Sequence, residues 1–376
     1  MKYIFLIISL FILISCTNNE DSSKSIIKIS HNENSNFDIK IDRILKIPIN
    51  DSCFIGDITQ ILKTKNNIIL VDANKMPSVY IIDLDQNSIR ELSVKGSGPK
   101  EYIHPVFAVI DSSEKTLNVL DIGKNSILKY NINDDFLFID EKKIPFNTNQ
   151  FHYLNDNKII WNNTDYDKGM ELSKFKVIIT DSLYSIKIKD LKKEFHNGYS
   201  FDSFKRKFYN HNNQTCFYFP FIPTLYTFNN NSINEKYQFM IEGFEFPSSN
   251  FLKRIGSDNQ NYIPVLFESP YIFTFEIFEN ETHFLISFFK QNNYYAIYNK
   301  QTKESKIFTS SEFQRIINIP FLSPPISVID NNFVSIIYDI NDIKENIDTI
   351  VNNELNKIII NSRVDDNPIL IFYTFE

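Results

Sequence analysis

The side chains best suited to chemistry are scattered along this chain. Its six histidines stand at His31, His104, His152, His196, His211 and His283. None shares with another His or Cys the short spacing that lets neighbouring side chains hold a metal ion. The sequence contains no H-E-x-x-H, no G-x-S-x-G, no Walker loop and no dinucleotide fingerprint. Each histidine therefore reads as structural or solvated. Ligands gathered from separate repeats stay open as an alternative. Cys53 and Cys216 sit in no CxxC or CxxH pattern and read as two separate buried thiols. No catalytic residue, metal site or cofactor is expected from this inventory.

Three local stretches invite sharper readings. "KGSGPKEYIHP", Lys95 to Pro105, uses two of the eight glycines. A phosphate-cradling loop needs a helix behind it, with its N-terminus facing the anion. Pro105 and β-branched residues follow instead. Gly96, Gly98 and Pro99 are therefore expected to form a sharp crossover turn, the glycines at positive φ. "DLDQN", Asp83 to Asn87, begins like a calcium loop. Ser88 then stands where glycine is required and Val94 where the bidentate glutamate should be, so a hairpin tip is expected. "SFDSFKRKFYNHNN", Ser200 to Asn213, interleaves Lys205, Arg206 and Lys207 with Phe201, Phe204, Phe208 and Tyr209. Such a mixture can stack on sugars or single-stranded nucleic acid. The expected role is an amphipathic blade edge with its lysines in water.

The elements that must carry these residues follow from composition and repetition. Aromatic residues make up 15% of the chain, with 35 Phe and 19 Tyr, which favours strands. The formal charge of −7 disfavours nucleic acid as a partner. "NNIILVDANKMPSVYIIDLD" and "KTLNVLDIGKNSILKYNIN" repeat one pattern with a period of about fifty residues. Asp72 and Asp121 occupy matching positions and are expected at the ends of inner strands of adjacent blades. Weaker copies continue to the C-terminus, each a pair of short strands with Asn, Asp or Pro at the turns. Short helices are expected only near Ser311 to Ile316 and Asp339 to Glu354. The pattern fits an all-β propeller of four-stranded antiparallel blades, with room for about six or seven. "ILKIPI", Ile44 to Ile49, and the terminal "NPILIFYTFE" are expected side by side, closing the ring.

The first residues, "MKYIFLIISLFILISC", have a cationic start and an apolar stretch too short for a comfortable membrane span. Leu13-Ile14-Ser15-Cys16 resembles the bacterial lipobox. Residues 1–15 are then a signal peptide and Cys16 carries the lipid. Residues 16–37, rich in Asn, Ser and charge, read as a flexible tether. Residues 38–376 form the propeller.

"RILKIPIND", "FIGDITQILKTKNNIILVDA", "VYIIDLD", "GSGPKEY", "LNVLDIGKNSILKYNI" and "NPILIFYTFE" together resemble the six-bladed β-propeller lipoprotein family of Bacteroidota. That family is similar in architecture to NHL and TolB-like propellers. The likeness is close from Arg43 to Phe146 and over the last ten residues, and looser from Asn147 to Ile360. It implies six blades and a lipoprotein of the bacterial envelope, at the outer membrane, on its periplasmic or surface side. Its members mostly have no assigned activity. The lipid anchor and the missing catalytic motifs favour a non-catalytic propeller that binds a glycan, a peptide or a partner protein. The alternative is an envelope hydrolase or lyase with a metal or paired carboxylates at the channel mouth.

Overall fold

The computed structural model describes residues 25–32, 37–50, 53–154, 157–165, 171–193, 205–229, 231–257, 262–346, 350, 352–363 and 365–376. Cys16 and the signal peptide lie outside these residues. Two strands, β1 (Ser25–Ile29) and β2 (Ile39–Lys46), precede the first full blade. Blade A holds β3 (Ile58–Lys63), β4 (Asn67–Asp72), β5 (Ser78–Asp83) and β6 (Ser88–Glu91). Blade B holds β7 (Pro105–Ile110), β8 (Thr116–Asp121), β9 (Ser126–Asn131) and β10 (Leu137–Lys143). Blade C holds β11 (Thr148–Tyr153), β12 (Lys158–Asn163), β13 (Phe175–Asp181) and β14 (Ile186–Lys192). Blade D holds β15 (Phe208–His211), β16 (Gln214–Tyr218), β17 (Thr224–Asn229) and β18 (Ser232–Ile241). Two helices, α1 (Ser249–Ser257) and α2 (Tyr262–Glu268), lead to blade E. That blade holds β19 (Thr274–Glu279), β20 (His283–Lys290), β21 (Asn292–Asn299) and β22 (Ser305–Thr309). After α3 (Ser310–Ile317), blade F has β23 (Ser327–Ile329) and β24 (Asn332–Ile337). Then come α4 (Ile340–Lys344), α5 (Asn353–Asn361) and β25 (Ile369–Phe375).

The fold is a six-bladed propeller of antiparallel blades, and its ring is closed by the two chain ends. In blade F, β2 pairs with β25 from Ile39 opposite Phe375 to Lys46 opposite Ile369. First strands adjoin around the axis: β3 with β7, β7 with β11, β11 with β15, β19 with β23, and β23 with β3. The hairpin turns between first and second strands form one face of the ring. The crossovers between blades lie on the other.

Each blade is buried on both sides, which explains apolar runs such as "IILV" in β4. Successive side chains of a strand point to opposite faces. Ile68 and Leu70 accordingly pack into the layer shared with blade F, while Ile69 and Val71 pack into the layer shared with blade B. Every junction between neighbouring blades has its own apolar layer of this kind. Bulky aromatic rings fill them; Trp161, the single tryptophan, is fully buried against Phe146, Phe151 and Tyr184.

Innermost strands have a ladder on one side only, so their channel-side backbone groups need other partners. Two glutamines supply them. Gln60 of β3 donates to Ala108 O at 2.8 Å and accepts from Ala108 N at 2.9 Å. Gln150 of β11 donates to Lys205 O at 2.6 Å and accepts from Lys207 N at 2.8 Å. Ser327 of blade F donates to Ile61 O at 3.1 Å. These bonds tie blade A to B, C to D and F to A.

Several expectations change. Asp72 and Asp121 are equivalent, but they end β4 and β8, the second strands, rather than the innermost ones. Their carboxylates do more than cap a turn. Asp72 accepts from Gly56 N and Asp57 N, both at 2.9 Å, and from three amides of the turn that follows it. Asp121 accepts from Ile103 N at 2.7 Å, His104 N at 3.0 Å and Lys124 N at 3.1 Å. Each aspartate thus fixes the chain just before its blade's first strand.

The stretch "KGSGPKEY" runs between β6 and β7, but neither Gly96 nor Gly98 has positive φ; Lys100 does, at 73°. The glycines make room instead for Glu101. A Cβ at Gly96 would lie 2.1 Å from Glu101 Oε2, and one at Gly98 would lie 2.9 Å from it. That same carboxylate oxygen accepts from Gly98 N at 2.8 Å.

The tether expected over 16–37 is partly ordered. Ser25–Ile29 forms β1, which pairs in parallel with β18 and gives blade D a fifth strand. Ile27 and Ile29 are buried there, and Phe37 is buried against Phe375. The stretch expected as one helix near Asp339 to Glu354 is split into α4 and α5, and α1 and α2 were not foreseen. The second half of "SFDSFKRKFYNHNN" is β15, the inner edge strand of blade D, but Lys207 is buried rather than in water, and Phe201 and Phe204 lie outside the described residues.

Candidate functional site

The hairpin face gathers polar side chains from all six blades. A depression of about 1240 Å³ spans blades A to D, from Lys63 past Asp111 and His152 to Asn210. Amides dominate its blade D wall: Asn210, Asn212, Asn213, Gln214, Asn229 and Asn231. Their positions follow from turn chemistry. Asn tolerates left-handed backbone angles, and Asn212, Asn213 and Asn231 have φ of 49°, 60° and 63°. Tyr153 and Phe228 add partly buried aromatic surface.

His152 Nε2 lies 2.9 Å from Asn210 Oδ1, an acceptor, so this nitrogen carries the imidazole proton. Burial pushes the His152 pKa down to about 4, keeping the ring neutral. Here it orients Asn210, which also accepts from Thr215 Oγ1 at 3.2 Å.

A second cavity, of about 250 Å³, runs along β15 between blades D, E and F. It shares Asn210 and Asn212 with the wider depression, so the two are contiguous. Behind it sits a buried charge network. The Glu279 side chain is 1% exposed. Its carboxylate accepts from Tyr209 OH at 2.9 Å and Lys300 Nζ at 2.7 Å, with Lys236 Nζ at 3.6 Å. Lys300 Nζ and Asn212 Nδ2 both point at His211 Nε2, at 3.2 Å each. Both groups only donate, so that nitrogen carries a lone pair. Burial also holds the His211 pKa below its usual value. The 3.3 Å approach of His211 to Glu279 is therefore not an ion pair. Burial, and then the neighbouring Glu279 charge, hold the Tyr209 phenol well above its ordinary pKa. Burial raises the Cys216 thiol to about 11. Cys53 and Cys216 are separate, free and buried.

Arg206 enters this cavity from the start of β15. Its Nε donates to Phe208 O at 2.9 Å and one terminal nitrogen donates to Ser327 Oγ at 3.2 Å. The guanidinium lies 5.4 Å from the Tyr209 ring centre. Sequence reasoning singled out Arg206 and Tyr209 only as part of a basic-aromatic stretch. It gave no sign that they meet Glu279 and Ser327, which come from other blades. Among the described residues, no three His, Cys, Asp or Glu side chains come together as a metal site. Gly96, Gly98 and Pro99 lie on the opposite, crossover face, and Cys16 lies outside the described residues. No helix among the described residues is long and apolar enough to cross a membrane.

Comparison with known proteins agrees with this architecture. No curated protein matches the chain. The fold is similar to a crystal structure of a Bacteroides fragilis protein named as exported. The two are 26% identical with a TM-score of 0.85, covering 94% of this chain and 100% of that one. It is also similar, in fold alone, to a DUF4221 family member from Bacteroides vulgatus. There the identity is 11% and the TM-score 0.55, over 90% of this chain and 98% of that one. The sequence pattern of DUF5128, a 6-bladed beta-propeller family, matches residues 14–336, and the chain belongs to that family.

Proposed function

We propose that this chain is an envelope lipoprotein whose propeller binds a glycan at the hairpin face, without catalysis of its own. The amide-rich blade D wall of the depression that spans blades A to D carries the reading. Side-chain amides offer paired donors and acceptors that suit the hydroxyl groups of a sugar. Tyr153 and Phe228 supply flat apolar surface beside them. Such a surface recognises by hydrogen bonding and has no need to move protons. In the adjoining cavity, Tyr209 donates to Glu279 and keeps its proton, which suits positioning better than acid–base work.

Location rests on the lipobox-like Leu13-Ile14-Ser15-Cys16 and on the likeness to an exported protein. Lipid on Cys16 would hold the protein at a bilayer. Replacing it (Cys16→Ala) should release the protein from the membrane fraction; a variant that stays bound speaks against the anchor.

The binding reading is tested by calorimetric titration of the full chain with neutral and acidic oligosaccharides and with peptides. An oligosaccharide should bind saturably. The double variant Gln214→Ala, Asn229→Ala should weaken it by about tenfold or more, since each lost hydrogen bond contributes roughly 1 kcal/mol. Peptide binding alone, or sugar binding untouched by the double variant, contradicts the reading.

A further inference from the structure

Arg206 is a partly buried cation with no carboxylate within ion-pair distance among the described residues. Its bonds to Phe208 O and Ser327 Oγ leave the other terminal nitrogen with no protein partner among them. The setting sharpens the imbalance. Lys300 and Lys236 both crowd Glu279, so that carboxylate is already matched by two cations and is not left to balance Arg206. Glu281 also lines the cavity but is exposed at its rim. A desolvated cation without a counter-charge is costly, and an anion in the cavity would offset that cost. The planar guanidinium fork suits a carboxylate in particular.

We propose that the cavity beside Arg206 receives the carboxylate of a uronic acid unit in the bound glycan. This rests on the glycan-binding reading and names its ligand class. The cavity, at about 250 Å³, is too small for a chain but opens through Asn210 and Asn212 into the wider depression. One acidic residue can therefore enter while its neighbours stay among the amides. A peptide C-terminus offers the same carboxylate. The sugar is favoured because the adjoining wall is amide-rich, matching hydroxyl groups along the rest of the ligand.

The test titrates the full chain with trigalacturonate, with neutral galactotriose, and with a tripeptide bearing a free C-terminus. Trigalacturonate should bind about tenfold or more tighter than galactotriose, the value of one charge-assisted hydrogen bond. Arg206→Gln should erase that difference, bringing trigalacturonate affinity down to that of galactotriose. Arg206→Lys, which keeps the charge but loses the fork, should fall between them, and unchanged circular dichroism confirms that each variant is folded. Equal affinity of wild type for both sugars overturns the proposal while leaving the glycan reading in place. So does discrimination that survives Arg206→Gln. Arg206-dependent binding of the tripeptide without the sugar overturns the uronate assignment. Binding of no probe overturns both readings.

Discussion

His283 sits where the ring closes. Its ring meets Phe37 and Phe375 edge-on at 6.0 and 5.7 Å, and its Nε2 is buried with no hydrogen-bond partner among the described residues. Burial depresses its pKa to about 4, as it does for His152 at the mouth. The unfolded chain regains an ordinary histidine pKa of about 6.5, so between about pH 6.5 and 4 it binds protons that the folded state does not. Stability is therefore retained above about pH 6.5 and lost as pH falls towards 4, at up to about 1.4 kcal/mol per pH unit for each such proton. His152 is partly exposed and contributes the smaller share. Urea unfolding followed by Trp161 fluorescence at pH 7, 5.5 and 4.5 should show this slope, and His283→Leu should flatten it. Equal slopes in the two proteins would contradict the assignment. At this scale the sequence revealed the structural aspartates, because Asp72 and Asp121 recur in matched surroundings. It could not reveal the Arg206–Glu279–Ser327 neighbourhood, whose members lie on three blades with no shared local pattern.

The hairpins of second and third strands were the most legible elements. They are buried on both faces, so they carry the strongest apolar runs, and Asn or Asp marks their turns. First strands were harder to read, since each faces the channel and admits polar residues; β15 is only "FYNH". The strand β1 hid inside polar sequence because only Ile27 and Ile29 of its five residues are buried. Insertions such as α1 and α2 interrupt the repeat and follow no period. Gln60 and Gln150, each the third residue of its blade's first strand, went unremarked because a lone glutamine carries no motif. Their cross-blade role leads to a sharp expectation. Gln60→Leu leaves both Ala108 backbone groups buried and unpaired, and should cost about 2–4 kcal/mol in urea unfolding. Gln150→Leu should cost a similar amount at the junction of blades C and D. A loss below about 0.5 kcal/mol in both would show that these bonds do not hold the ring.

The ring behaves as one unit because each blade buries its faces only against its neighbours. Closure was legible in the lone N-terminal strand and in the apolar C-terminal one, although β2 begins at Ile39, earlier than the expected Ile44. Blade number was bounded at about six or seven by the repeat period, and the structure has six sheets. Deleting residues 369–376 removes the central partner of β2 and β24 and should abolish cooperative unfolding of the whole propeller. An unchanged melting temperature would contradict a closed ring. What the ring serves is a question for the hairpin face, where four blades surround one depression with an amide-rich wall from blade D and Arg206 waits in the cavity beside it. The most direct measurement is hydrogen–deuterium exchange of the full chain with and without saturating trigalacturonate. The account predicts slowed exchange in residues 111–115, 152–154 and 209–214, with the crossover stretch 95–104 unchanged. Protection confined to the crossover face, or none at all, would contradict it.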